Sequence, residues 1–293
     1  MGAVDLVTLG EAFEDLIFLD LPRLPRLGEE IKTDRFVRSP GGGAVITAVA
    51  ASRLGTRCRV VSGLGDGVKE VLRGEGIEVQ DLRRDGEAPA LTAALSTRRD
   101  RSFVTFNGVN DRLEPRFAAA ARRAEDRHLH LAFYPRSCRS WERIVNALRR
   151  RGVSTSWDFG WNEGLASDPG FPGLAAALDI VFLNEAEAPL YARRRTLERA
   201  IEHWRGHARN AVVKLGPRGS RWVSPTTDVS APAPSVRVVD TTGAGDAFDG
   251  GFLHAFLGGA APRACLKAGR GLGALSTRGA GGVAGLARAW ATR

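Results

Sequence analysis

The chain has 293 residues, 43% of them hydrophobic, and carries 42 Lys and Arg against 33 Asp and Glu for a formal net charge of +9. That length allows one large or two modest domains with a sizeable core. There is no run of 18 apolar residues and the N-terminal stretch is interrupted by acids, so a cytoplasmic protein without membrane partners is expected. Arginines are spread along the chain with no aromatic-interleaved basic patch, which argues against a nucleic-acid partner. Cys58, Cys138 and Cys265 are too far apart to suggest a disulfide framework or a zinc motif.

Residues 4–9 (VDLVTL) read as an alternating strand ended by Gly10, with a second apolar run at residues 16–19. Asp15 lies between them, just past the carboxyl end of a first strand. In an α/β protein ligands bind there, so Asp15 is a candidate for holding a substrate hydroxyl, the alternative being a surface turn acid. Residues 21–37, 88–95 and 101–106 are half-polar, with a turn at residues 96–100 and no long helices between them, which suggests a small separate sheet. Asn107 closes its last strand and could face a pocket. Three glycines at residues 41–43 permit close approach or a hinge, and the Ala-rich segment 44–54 is a helix packed tightly below them. A strand at 59–62, a helix to Arg73 and a return at 76–79 follow.

From Pro115 a helix leads to the strand HLHLAF, in which His128 and His130 share one face; two histidines alone do not make a metal site. Phe133, Tyr134, Trp141, Trp157 and Trp161 suggest either an apolar pocket wall or ordinary core packing. A helix at 140–150 and a strand at 153–158 come next. Asp158 ends that strand as a pocket-rim acid, and residues 159–171 read as a long loop. A buried strand at 179–183 ends at Asn184, and NEAE (184–187) starts a helical stretch that puts Asn184 and Glu187 on one face, the plainer account being a helix cap. After a helix at 197–205, the strand 211–215 carries Lys214, facing phosphate or solvating the strand end. Gly216 and Gly219 bound the turn into residues 220–223, and 225–234 is an extended connection.

The most informative stretch is VRVVDTTGAGDAFDGG, residues 236–251. A β-branched run meets Asp240, a Gly-containing turn and then Asp246, which reads as strand, tight turn and helix N-terminus. Gly243, Ala244 and Gly245 bend the backbone so that its amides, together with those opening the helix near Asp246, form an anion hole. Asp246 can then take a proton from an alcohol that attacks a terminal phosphorus while the amides neutralise the transferred charge. The alternative is an ordinary Gly turn capped by an acid. Beyond it, Phe248, Phe252 and Phe256 form a core stripe on a helix at 247–257. The Ala- and Gly-rich helix 262–277 leaves room against a flat base.

DTTGAGDAF at residues 240–248 resembles the C-terminal signature of the ribokinase-like (PfkB) family of carbohydrate and nucleoside kinases. PGGG at 40–43 with the following Ala-rich helix resembles the family's N-terminal signature. The likeness covers nearly the whole chain. It implies a three-layer α/β/α domain over residues 1–293, with a largely parallel central sheet and a β-sheet lid from segments near 14–37 and 87–107. The lid also implies a homodimer surface and exclusion of water. Asp15, Gly41 and Gly42 match substrate contacts. NEAE resembles a motif whose Asn184 and Glu187 serve the nucleotide and orient Mg²⁺ through water. Lys214, Gly216 and Gly219 resemble a segment beside the nucleotide, as do Thr242 and, on the adenine-side helix, Gly273. Asp240 and Thr242 resemble a K⁺ site. Three features depart from the family pattern: Ile46 and Arg270 stand where Asn is usual, and the segment after Asp66 is shortened. No GxxxxGK[ST] is present. The expected function is ATP-dependent phosphorylation of a sugar or sugar acid with Asp246 as base. The alternatives are a nucleoside kinase and a non-catalytic ligand binder.

Overall fold

The computed structural model describes residues 2–97 and 100–286; the remainder of the expected 1–293 unit, including two residues of the turn at 96–100, lies outside the described residues. In chain order the elements begin with β1 (Leu6–Gly10), β2 (Phe13–Leu21), β3 (Phe36–Gly41), α1 (Gly43–Ser52), β4 (Cys58–Ser62), α2 (Asp66–Gly74) and β5 (Glu78–Asp81). They continue with β6 (Leu91–Thr97), β7 (Arg101–Phe106), α3 (Glu114–Arg123), β8 (His128–Ala132), α4 (Cys138–Arg150), β9 (Ser154–Asp158), α5 (Glu163–Ser167) and α6 (Phe171–Ala177). The last part comprises β10 (Ile180–Asn184), α7 (Glu187–Ala192), α8 (Leu197–His207), β11 (Ala211–Lys214), β12 (Ser220–Val223), β13 (Asp228–Ala231), α9 (Ala244–Leu257) and α10 (Pro262–Ser276).

Short apolar runs such as LVTLG, HLHLA and IVFLN suit strands buried on both faces, and these form the middle of a nine-stranded sheet ordered β13-β12-β11-β10-β9-β8-β1-β4-β5. It is parallel except for β12 and β13. Core clusters lie on both faces, one drawing on α3, α4 and α6 to α8, the other on α1, α2, α9 and α10. The result is a three-layer α/β/α arrangement, as the strand–helix alternation predicts. Each layer closes by burying regular apolar stripes. On α4, capped by Ser137, the residues Trp141, Ile144, Val145 and Leu148 recur at helical spacing and are buried. The chain runs outward from β1 to β4 and β5, then returns to build β8 to β11 on β1's other side. The order thus reverses at β1 and β8, and a crevice opens at their carboxyl ends.

A second sheet, β3-β2-β6-β7, stands apart from the first. β2 follows β1 after only two residues, so Asp15 lies within a lid strand rather than on a loop between core strands. Phe13 pairs with Gly41 and Asp15 with Ser39, which joins this sheet directly to the start of α1. No helix among the described residues is long and apolar enough to cross a membrane.

Three local expectations are corrected. Residues 159–171 hold a short helix, α5, because Asn162 accepts the Leu165 amide at 2.8 Å, and α6 begins within them. The connection at 225–234 includes β13, paired antiparallel with β12. Residues 236–239 do not form a strand. Pro232 and Pro234 remove donors just upstream, Val238 and Val239 are exposed, and the Val239 amide donates to Thr277 O at 2.7 Å.

Glycines set the spacing of the last two helices. A Cβ at Gly250 would stand 2.4 Å from Thr47 O of α1, and one at Gly251 2.7 Å from Ala268 O of α10. A Cβ at Gly271 meets nothing within 4 Å. Gly250→Ala is therefore expected to destabilise by about 1–3 kcal/mol through overpacking, and Gly271→Ala to stabilise by about 0.5–1 kcal/mol. Urea-unfolding midpoints of the two variants should move in opposite directions.

Candidate active site

The site is built around the N-terminus of α9. Gly243 takes a left-handed conformation (φ 71°), which turns the chain into the helix. Its neighbour Ala244 donates its amide to Thr241 O at 3.2 Å, so that group closes the turn instead of facing an anion. The Ala247 amide bonds Gly243 O at 2.8 Å. Gly245 and Asp246, lying between, open the helix without intrahelical acceptors for their amides. Ile46, buried on α1, packs beneath this turn: a Cβ at Gly243 would lie 2.6 Å from Ile46 Cδ1, and one at Gly282 only 2.3 Å from it. Its hydrocarbon side chain supports the turn from below.

One side of the helix start faces a cleft of about 550 Å³ lined by Gly216, Gly219, Thr241, Gly245, Phe248 and Gly273, with residues 233–236 along its wall. Gly216 and Gly219 both have positive φ, and a Cβ at Gly219 would strike Ala231 O at 2.0 Å. Gly273 lets α10 approach α9, since its Cβ would lie 3.0 Å from Ala244 O. Arg270 lines the same cleft, and its Nε is buried without a hydrogen-bond partner among the described residues.

The other side faces the lid. A Cβ at Gly43 would be 3.0 Å from an oxygen of Asp246, and one at Gly41 would overlap the Asp15 carboxylate at 2.2 Å. Residues 41–43 therefore lie along a narrow backbone ledge between Asp15 and Asp246. Gly42, at φ 95°, also passes close to Glu11 O. Burial raises Asp15 to about 6, and burial together with Asp111 raises Glu11. Asn107 donates its side-chain amide to Asp111, and Asn110 reaches Ala12 O at 3.3 Å, so the loop after β7 closes onto Glu11 and its neighbours.

Below α9 is a charge cluster that sequence reasoning saw only in pieces. The Lys214 ammonium bonds Asp158 Oδ2 at 2.6 Å and both oxygens of Asp249 at 3.1 Å. It lies at the end of the cleft, but its donors are committed to these acids. Carboxylate oxygens of Asp158, Asp246 and Asp249 come within 4.8 Å of one another, a grouping that could ligate a metal were Lys214 not already compensating two of them. Against the cost of burial, Lys214 and a hydrogen bond from Asp249 hold Asp158 down to about 2. Burial, opposed by Lys214, pushes Asp249 well above the usual aspartate range, and the neighbouring Asp158 charge adds to that rise. Burial and the Asp158 charge raise Asp246 to about 6 and Glu187 to about 7. The one available signal for Asp249 was its place in an otherwise apolar helical stretch, where a buried acid requires a partner.

Asn184 and Glu187 do not share a helix face. Asn184 ends β10 and Glu187 begins α7, and they cap one another: Asn184 Oδ1 accepts the Ala186 and Glu187 amides at 2.9 Å, while Glu187 Oε2 accepts the Asn184 amide at 2.8 Å. Asp240 organises the turn before α9. Its Oδ1 accepts the Thr242 amide and hydroxyl at 2.8 Å, and its Oδ2 accepts the Gly281 amide at 2.9 Å. The histidines on β8 are buried and neutral, with His128 between Ser154 and Ser156. Phe133, Trp141 and Trp157 belong to the core, whereas Tyr134 and Trp161 are exposed.

The sequence matches the pfkB family carbohydrate kinases over residues 4–288. This chain belongs to that family. The uncharacterized sugar kinase YegV of Escherichia coli K12 is 29% identical over 265 residues, which cover 87% of this chain and 82% of that protein. Adenosine kinase from Sinorhizobium meliloti superposes with a TM-score of 0.80 at 23% identity, covering 96% of each chain. Escherichia coli phosphofructokinase-2, solved in complex with potassium, gives a TM-score of 0.80 at 18% identity, covering 95% of this chain and 94% of that one. These structures share the ribokinase-like fold with the present chain. Membership of a kinase family acting on small carbohydrates and nucleosides places its chemistry in phosphoryl transfer.

Removing the Lys214 charge tests the cluster. Lys214→Met leaves Asp158 and Asp249 without their cation and is expected to cost about 3–5 kcal/mol in urea unfolding near neutral pH. The deficit should shrink as pH falls, because the unpaired buried carboxylates bind protons more readily folded than unfolded.

Proposed function

We propose that this chain transfers the γ-phosphoryl group of ATP to a hydroxyl of a small sugar-like alcohol, with Asp246 as general base. The observation that carries this reading is the position of Asp246. It sits in the first turn of α9, beside Gly43 on the lid side, while the preceding Gly245 lines the 550 Å³ cleft. A nucleotide in the cleft would lay its phosphates toward the open amides of Gly245 and Asp246. An alcohol under the lid would then reach the terminal phosphorus past Asp246.

The residues around the two spaces support these roles. Gly216, Gly219 and Gly273 leave room for a flat base and its ribose, and Thr242 belongs to the turn that delivers the amides. Gly243 and Ala244 shape that turn, and the amide of Gly245 contacts the transferred group. Lys214 acts from below, fixing α9 and contributing positive charge beside Gly245. Asp15, with Gly41 and Gly42 giving it access, accepts hydrogen bonds from acceptor hydroxyls, and Asn107 closes that side through Asp111. Glu187 suits Mg²⁺ brought by ATP. One of its oxygens is engaged by Asn184, leaving the other to hold a metal-bound water, and the ion would supply charge neutralisation on the phosphates. The lid sheet excludes water during transfer and is the surface for a homodimer.

Glu11, Asp15 and Asp111 make the lid side acidic, which favours a neutral acceptor over a sugar acid or phosphosugar. The exposed ring of Tyr134, near Glu11, gives a specific reason to keep nucleosides as a second reading, since it offers a face on which a base can stack. The names of the sugar kinase and adenosine kinase relatives fit either acceptor. ADP release across neutral pentoses, hexoses, sugar acids and nucleosides separates these readings, and silence with every acceptor would overturn the kinase reading.

Asp246→Asn is expected to lower kcat by about 10²–10⁴-fold while leaving ATP affinity nearly unchanged. Turnover at the wild-type rate would remove Asp246 from the mechanism. Because the base form is required and its carboxyl is raised to about 6, kcat/KM of the wild-type enzyme should fall as pH drops through that value. A stopped assay across the acidic range reads this directly.

A further inference from the structure

The Asp240 carboxylate has another partner, supplied by the lid. Arg101 opens β7, the edge strand of the small sheet, and its guanidinium bonds Asp240 Oδ1 and donates to Thr241 Oγ1 at 3.2 Å. The side chains of Arg101 and Asp240 are only 28% and 14% exposed. The Arg101 guanidinium also lies over the Phe103 ring, 5.5 Å from its centroid, which helps hold it in this direction. These two partners are 139 residues apart in sequence, one on the lid sheet and the other in the turn that leads into α9.

A monovalent cation at Asp240 and Thr242 would need oxygen lone pairs directed into one space. Here the carboxylate is surrounded by donors: the Thr242 amide and hydroxyl, the Gly281 amide and the Arg101 guanidinium. An ion entering this position would meet positive charge and N–H groups, so these residues do not fit K⁺. The unit of positive charge such an ion would provide is already present and covalently attached to the lid.

Resting on the kinase reading above, we infer that Arg101 is a positioning residue that replaces a free monovalent cation and couples lid closure to the phosphate-binding turn. With the lid down, its guanidinium neutralises Asp240. The carboxylate then holds the Thr242 and Gly281 amides, which fixes the loop leading into Gly243 and Gly245. With the lid raised, Asp240 loses the one cation it pairs with among the described residues, and the turn loosens. Acceptor binding under the lid thereby prepares the amides that receive the phosphoryl group.

The test begins with ligand-free full chain, so that it does not depend on catalysis. Hydrogen exchange is followed in peptides covering residues 238–246 and 277–285, in choline chloride and in KCl at equal ionic strength. Arg101→Gln should exchange about tenfold faster than wild type in choline, and Arg101→Lys should retain most of the protection. Wild type should be indifferent to K⁺. Equal exchange in wild type and Arg101→Gln, or protection of wild type only in KCl, would overturn the inference. A second readout is ADP formation with an acceptor identified from the panel. Wild-type rates should match in the two salts, whereas Arg101→Gln should lose kcat more than KM rises and recover with added K⁺ or guanidinium ion. A wild-type enzyme that turns over only with K⁺ refutes the inference alone. Absence of ADP formation in every condition refutes the kinase reading alone, and the exchange result still decides the role of Arg101.

Discussion

The contact between Lys214 and the pair Asp158 and Asp249 holds the site in place. It joins the ends of β9 and β11, on either side of β10, to the helix that begins at Ala244. Asp249 lies less than one turn beyond Asp246 on that helix, so anchoring the first fixes the rotation and height of the second. An ammonium buried among acids is stable only if its donors are matched, and here three short contacts meet that condition. The same arrangement sets the local electrostatics. Asp158 is held low, while Asp249 and Asp246 are left more basic than an ordinary aspartate.

Helix packing brings the chemistry to the strand ends. α9 can approach α1 through Gly250 and α10 through Gly251, with Gly269 and Gly273 giving further relief along α10. These glycines sacrifice helical propensity for backbone proximity. The consequence is that one short helix start separates the cleft from the space beneath the lid, with Gly245 lining the first and Asp246 facing Gly43 on the other side. The reversal of strand order at β1 and β8 supplies the opening into which this helix points.

Much of this was legible in the chain. Short apolar runs marked the parallel strands, and residues 240–248 marked the turn and the acid of the candidate site. The half-polar segments indicated the small sheet because their alternation had no room for intervening helices. What sequence could not supply were long-range charge partners. Lys214 was visible as a strand-end lysine, but its commitment to Asp158 and Asp249 depends on three elements meeting. Arg101 carried no local signal, being one of many arginines. The β-branched residues 236–239 misled for the opposite reason: strand propensity is expressed only where a neighbouring edge can accept the ladder, and the prolines before them detach the chain from β13.

The burial of Ile46 beneath Gly243 and Gly282 has an evolutionary consequence. Because the start of α1 presents hydrocarbon to the turn, the backbone proposed to bind phosphate and the side chains proposed to read the acceptor are carried by separable parts of the chain. Under the proposed function, substitutions at Glu11, Asp15 or the loop containing Asn107 would retune which alcohol is admitted while leaving the packing under the turn intact. A fold divided in this way can diversify its acceptors within one lineage without rebuilding the machinery that handles phosphate.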